Sequence, residues 1–167
     1  SAVGNTLTFR SEGVNVVMGT TTYANTTNTS GEVTSVTYTI PVAVTSFGDT
    51  LYIGQSAQLA TAATASNAFA LVFETAAAPT SESTSGTTSI TFSTSNAVID
   101  TNGYRLDDGQ TKNFTITVTV LDQALNASHR LRLDTVRTFT EAGLVTATNS
   151  DLLPVENYRT GFQFINN

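Results

Sequence analysis

The residues in this chain that could carry chemistry are few and scattered. His129 is the single histidine, with Ser128 beside it as the nearest hydroxyl. A serine nucleophile needs an imidazole within hydrogen-bond reach and an acid behind it. Neighbours on an extended strand point to opposite faces, so this pair is unsuited to acyl transfer. His129 reads instead as a polar residue opening a strand from His129 to Leu133. One histidine and no cysteine exclude histidine-rich metal centres, thiolate zinc sites, cysteine nucleophiles and disulfides.

Asp100, Asn102, Asp107 and Asp108 fall within nine positions and offer the hard oxygen ligands that calcium takes. The calcium-loop pattern of alternating Asp/Asn ligands, a glycine and a closing glutamate is not met. Asp and Asn beside glycine are also what two successive turns contain, so turns are the plain reading and calcium the competing one. Lys112 beside Asn113 supplies the two residue types that condense to an isopeptide bond in some surface sandwiches. That reaction also needs a buried Glu or Asp to assist proton transfer. No cofactor is called for.

Glycoside hydrolysis needs two carboxyl groups across one bond. Glu12, Glu32, Glu74, Glu82, Glu141 and Glu156 all read as solvated acids at loops or strand ends, and nothing singles out a pair. In a chain without tryptophan, Tyr23, Tyr104 and Tyr158 are the aromatics available to stack on a sugar. Asn25, Asn28, Asn113 and Asn126 head N-x-Ser/Thr triplets and are the candidate glycosylation sites, although a threonine-rich chain generates such triplets by chance. No nucleophile–base pair or ligand set can be named, and the chain reads as non-enzymatic.

These residues need a frame, and composition points to sheet. Only 12% of the 167 residues are charged, whereas 33 are threonine and 15 serine. Threonine is β-branched and suits a pleated, half-buried surface, while helices favour Glu, Lys, Arg and Leu. The net charge of −6 and a single lysine, Lys112, disfavour nucleic acid, which takes clustered cations. No run approaches the roughly 18 apolar residues of a membrane span. Opening on Ser1, without a basic and then apolar leader, fits a processed or excised chain. The Ser/Thr-rich, Lys-poor surface points to an extracellular or cell-surface location.

Alternation then marks the strands. From Ser35 to Thr45, Val36, Tyr38, Ile40, Val42 and Val44 share one face, with mostly threonine on the other. Pro41 lies inside this run and predicts a break where the strand crosses between sheets. Thr111 to Leu121 repeats the pattern through Phe114, Ile116, Val118 and Val120. Shorter runs are Leu7 and Phe9; Val14, Val16 and Met18; Leu51 and Ile53; Phe69 to Phe73; Ile90 and Phe92; Leu131 and Leu133; and Phe162 and Phe164. That makes about nine strands. Phe47-Gly48-Asp49, Asn102-Gly103, Asp108-Gly109 and Pro79 to Thr88 supply turn chemistry. Gln55 to Ala65 and Asp122 to Ser128 read as loops or single helical turns. The expected fold is one all-β, immunoglobulin-like antiparallel sandwich over residues 1–167.

The stretch from Val33 to Ile53, VTSVTYTIPVAVTSFGDTLYI, resembles the start of an immunoglobulin-like domain found at the C-termini of surface proteins from candidate-phylum bacteria, Parcubacteria among them. Gly103-Tyr104-Arg105-Leu106-Asp107-Asp108-Gly109-Gln110 is similar to a hairpin of that domain. Leu131 to Phe139 and Tyr158 to Phe162 are similar to its last two strands. The resemblance covers roughly residues 30 to 167 and implies an exterior location and an immunoglobulin-like fold. It carries no catalytic residues. Proteins of this kind are often described as peptidoglycan-binding; residues 1–167 are not expected to include such a module, which leaves self-assembly or display as the expectation.

The expected function is a structural subunit of an extracellular filament, pilus or surface layer, self-assembled by donor strand complementation. Residues 1–18 are the expected exchanged strand, with Leu7, Phe9, Val14, Val16 and Met18 as its interface. Phe162 to Ile165 is the alternative exchanged strand. The competing reading is a monomeric carbohydrate-binding or adhesive module that meets a cell-surface glycan, with the same N-terminal strand folded onto its own sheet.

Overall fold

The computed structural model describes residues 11–76, 86–122, 127–144 and 149–165, and strands dominate them. In chain order the first six strands are β1 (Gly13–Met18), β2 (Thr22–Thr27), β3 (Val33–Phe47), β4 (Leu51–Ile53), β5 (Ala57–Leu59) and β6 (Phe69–Thr75). Then follow β7 (Gly86–Thr94), β8 (Ile99–Asp100), β9 (Gly103–Leu106), β10 (Thr111–Asp122), β11 (Ala127–Thr138), β12 (Asn149–Leu152) and β13 (Gln163–Ile165). A single 3-10 turn, Val155–Asn157, lies between β12 and β13.

Two five-stranded sheets pack face to face as an immunoglobulin-like sandwich. In the first, β1 and β2 lie end to end along one side of β3, and the order continues through β10 to β7. In the second, β12 and β13 share one side of β11, followed by β6 and β5. Pairing is antiparallel except between β5 and β6. A three-stranded sheet, β4-β9-β8, adds Ile53, Tyr104 and Leu106 to the same core.

The two long alternating runs are neighbours. β3 and β10 pair without a shift from Thr45↔Thr111 to Ser35↔Leu121. Val36, Tyr38, Ile40, Val42 and Val44 face Leu71, Phe73, Leu131 and Leu133 across one hydrophobic core. On the outer face threonines meet across the strands, with hydroxyl oxygens 2.9 Å apart for Thr37 and Thr119 and 2.7 Å apart for Thr45 and Thr111. Much of the threonine excess is therefore cross-strand pairing on a solvent face. Burial pushes the Tyr38 hydroxyl above its ordinary range, so it stays protonated and donates to the His129 carbonyl at 2.8 Å across the sandwich.

Pro41 does not mark a crossing between sheets. β3 runs straight through it, opposite Thr115. The Pro41 carbonyl accepts from Gly19 N–H at 2.8 Å, in the gap between β1 and β2, so its backbone polar groups face the side where the neighbouring strand is interrupted. The missing N–H falls where there is no ladder bond to make.

Strand number also differs from the nine expected. The Leu7–Phe9 run lies outside the described residues. The other eight runs fall in strands, although Phe162 precedes β13, and β2, β5, β8, β9 and β12 are additional. β2 is exposed at all six positions, and the other four have only two to four residues, so even the Tyr104–Leu106 alternation of β9 is too short to mark a strand by itself. Gln55 to Ala65 contains β5 followed by turn. The Asn102-Gly103 turn is shifted by one residue: Thr101 takes the positive φ of 60°, and Gly103 opens β9 opposite Asp100. Gly103 is closely packed: a Cβ there would lie 3.1 Å from the Ile53 carbonyl oxygen and 2.9 Å from the tip of the Leu144 side chain.

Candidate functional site

The chemistry-bearing residues singled out above do not converge. Asp100 and Asn102 flank the β8–β9 turn, while Asp107 and Asp108 follow β9 at its other end, about 13 Å away for a four-residue strand. Each acid has its own local partner. Tyr52 lies 3.5 Å from Asp100, Arg105 Nε donates to Asp107 at 2.8 Å, and Gly48 N–H donates to Asp108 at 2.8 Å. No three His, Cys, Asp or Glu side chains gather as metal ligands among the described residues. Lys112 and Asn113 point to opposite faces of β10, and the exposed Asn113 takes its backbone N–H to Asn96 Oδ1 at 2.7 Å. His129 is not at a strand opening; it is fully buried within β11, stacked on Phe73 at 4.8 Å with its carbonyl held by Tyr38.

Of the tyrosines, Tyr104 is core, against Phe92 and Phe114, and Tyr158 donates its hydroxyl to the Val16 carbonyl. Burial pushes the Tyr158 hydroxyl up, which keeps it a donor. Tyr23 is exposed, as are Phe47, Phe162 and Phe164, which were not among the sugar-stacking candidates. Among the sequons, Asn25 is exposed on β2. The Asn28 side chain shapes the β2–β3 turn, accepting from the Ser30 and Glu32 N–H groups and donating to Glu32 Oε2 at 2.6 Å. Asn126 lies outside the described residues, as does Glu82.

Glu74 departs most from expectation. It is a fully buried acid on β6, directly opposite Arg130 on β11, rather than a solvated strand end. Arg130 Nε donates to Glu74 Oε2 at 2.7 Å, Arg132 Nε donates to Oε1 at 2.9 Å, and Arg159 Nε lies 3.2 Å from Oε2. Three of the chain's seven cations thus meet on one carboxylate. Burial acts to raise the Glu74 pKa, but the hydrogen bonds from Arg130 and Arg132 and the charges of Arg130 and Arg159 win, and it is held below the ordinary range. Asp134 pairs with Arg132 and Glu156 with Arg159, so the cluster is locally neutral. Arg159 also bridges backbone to backbone with Arg132, and Arg130 stacks over Phe162 at 4.4 Å. The cluster helps hold the segment after β12 along the edge of β11, where Leu133 N–H donates to the Tyr158 carbonyl and Thr160 N–H to the Leu131 carbonyl.

What remains are the sheet edges. Val14, Val16 and Met18, three of the five positions expected at a subunit interface, lie on β1 opposite Ser46, Val44 and Val42 of their own chain and pack on their own core. Leu7 and Phe9, the other two, precede the described residues. β1 begins at Gly13, opposite Phe47, the last residue of β3. Immediately upstream, Ser11 passes over Gly48, where φ is 85° and an added Cβ would lie 1.9 Å from the Ser11 carbonyl oxygen. The chain leading into β1 therefore meets the sandwich where β3 has ended. At the opposite side of that sheet, β7 pairs with β10 over nine consecutive positions from Thr94 to Gly86, and its outer edge has no partner strand among the described residues. Comparison with family models, curated proteins and solved structures returns no match.

Proposed function

We propose that this chain is a structural subunit of an extracellular filament or surface layer, in which the segment bearing Leu7 and Phe9 adds as a strand to the sandwich of a neighbour. The observation that carries the reading is the pairing of Gly13 with the last residue of β3. Upstream of it an alternating stretch continues, with Leu7 and Phe9 two positions apart, but no further β3 is available to receive it. An extended segment with one apolar face gains most by joining an open sheet edge, where backbone bonds and side-chain burial form together. β1, held in its own sheet, serves as the anchor of that segment. The surface of neutral hydroxyls and the resemblance to surface-protein domains support an exterior role.

A second reading, a monomeric carbohydrate-binding or adhesive module, draws on Phe162 and Phe164, which are 40% and 50% exposed on one face beside Arg130. Negative-stain microscopy of the purified chain discriminates. Filaments that are lost in a Leu7→Asp, Phe9→Asp variant support strand donation. Single-chain particles for both proteins contradict it and favour the module.

A further inference from the structure

We propose that the acceptor for this donated strand is the outer edge of β7 in a second copy of the chain. The inference rests on the strand-donation reading above, and it names the partner surface.

Exposed sheet edges are normally protected by charge, proline, a bulge or shortness. Gly86–Thr94 has none of these. Its sequence, GTTSITFST, contains no charged residue and no proline, and its nine pairs with β10 show no register shift. The other edges are fragmentary by comparison. β1 and β2 are separated by an interruption, β12 and β13 are four and three residues long, and β5 has three residues. β7 is the one long, regular, unpartnered edge among the described residues.

The core side of β7 is also unfinished. Ile90 and Phe92 face inward opposite Val118 and Ile116, yet both are only partly buried. Phe92 stacks on Phe114 at 5.1 Å and meets Phe69 edge-on at 5.9 Å, so its inner side is packed. An added strand that presents two apolar side chains two positions apart would cover what Ile90 and Phe92 leave open. Leu7 and Phe9 have that spacing, with threonine at position 8 between them.

The donor comes from a second copy because the same chain cannot reach. From Ser11, beside β3, the outer side of β7 lies beyond β3, β10 and β7, roughly 19 Å away at one strand spacing per step. Crossing that distance takes about six extended residues, Arg10 back to Asn5, so Leu7 and Phe9 would be used in the crossing. The turns at Gly48 and Gly109, the latter donating its N–H to the Ser46 carbonyl, also occupy that end of the sandwich.

Pairing Leu7 and Phe9 with Ile90 and Phe92 sets Thr8 opposite Thr91 whether the added strand runs parallel or antiparallel. Directly paired residues have Cα atoms about 4.5–5.5 Å apart, within disulfide range. The chain has no cysteine, and Thr91 is exposed on the face away from the core, so single cysteines are clean probes. Thr8→Cys and Thr91→Cys chains are mixed in equal amounts, allowed to assemble and oxidised, with Ala24→Cys on β2 replacing Thr91→Cys as the control. The expected result is that up to about half of the mixed chain, the ceiling set by random donor and acceptor pairing, runs at twice the single-chain mass without reductant, while the control mixture does not. Filaments in which Thr8→Cys fails to join Thr91→Cys overturn the β7 assignment and leave strand donation standing. A chain carrying both cysteines that closes only on itself, with no joined pairs and no filaments, overturns both.

Discussion

The hydroxyl of Tyr158 donates to the backbone carbonyl of Val16, so the end of the chain holds its first described strand in place. Val16 is buried and paired with Val44, and Tyr158 packs against the core from beside the second sheet. β1 is thus fixed by a ladder on one side and a side-chain bond on the other. It is a poor candidate to leave its own sandwich, which is why the strand-donation proposal assigns the exchanged segment to Leu7 and Phe9 upstream.

Removing the hydroxyl alone should loosen that hold. Tyr158→Phe is expected to lose about 1 kcal/mol of stability in denaturant unfolding, the usual worth of one such bond. Amide exchange across Gly13–Met18 should quicken more than across β10.

Replacing the acid at the centre of the arginine cluster should cost more. Glu74→Gln leaves Arg130, Arg132 and Arg159 without their shared charge in a largely covered site, with side-chain exposures of 13–16%. Breaking such a buried network by one partner costs about 3 kcal/mol or more, whereas Glu141→Gln, at an exposed position, should stay within about 0.5 kcal/mol of the parent. Equal effects from the two substitutions would remove the cluster from the stability argument.

The same carboxylate sets a pH dependence with a definite sign. Its pKa is lower in the folded chain than its ordinary value of 4.5, so the unfolded chain binds the proton more readily. The stabilisation is complete above the ordinary value and is lost as pH falls through the depressed one. Melting temperature should therefore fall on acidification below 4.5, and the Glu74→Gln protein should show a smaller fall. Parallel curves for the two proteins would show that other carboxylates carry the effect.

Gly48 tests the path of the entering chain. A methyl group there meets the Ser11 carbonyl at 1.9 Å, and the backbone φ of 85° is one that other residues rarely adopt. Gly48→Ala is expected to cost roughly 1–3 kcal/mol. Gly31→Ala, at the same φ but with open space around it, should cost less.

Most of the sandwich was legible because its long strands alternate strictly. Ser35 to Thr45 and Thr111 to Leu121 each present one apolar face, and they pair with each other over that length. β2 and β12 were not legible, since residues such as Thr22–Thr27 owe their extended form to a partner strand rather than to an apolar face of their own. Pro41 was misread because the rule against proline in a central strand concerns a ladder bond, and sequence does not show that the neighbouring strand is interrupted there. Glu74 was hidden for a similar reason. An acid ending the apolar run Phe69–Phe73 looks solvated until Arg130 and Arg132, two positions apart on one face of β11, are placed opposite it.

On the strand-donation proposal, residues upstream of Ser11 complete a neighbour while the sandwich itself is built from Ser11 onward. Sedimentation of the full chain beside a chain starting at Ser11, with circular dichroism on both, tests it directly. Strand donation requires large assemblies from the full chain and a folded, cooperatively melting single-chain species from the shortened one. Assemblies of the same size from both proteins, or a shortened chain that fails to fold, would contradict it.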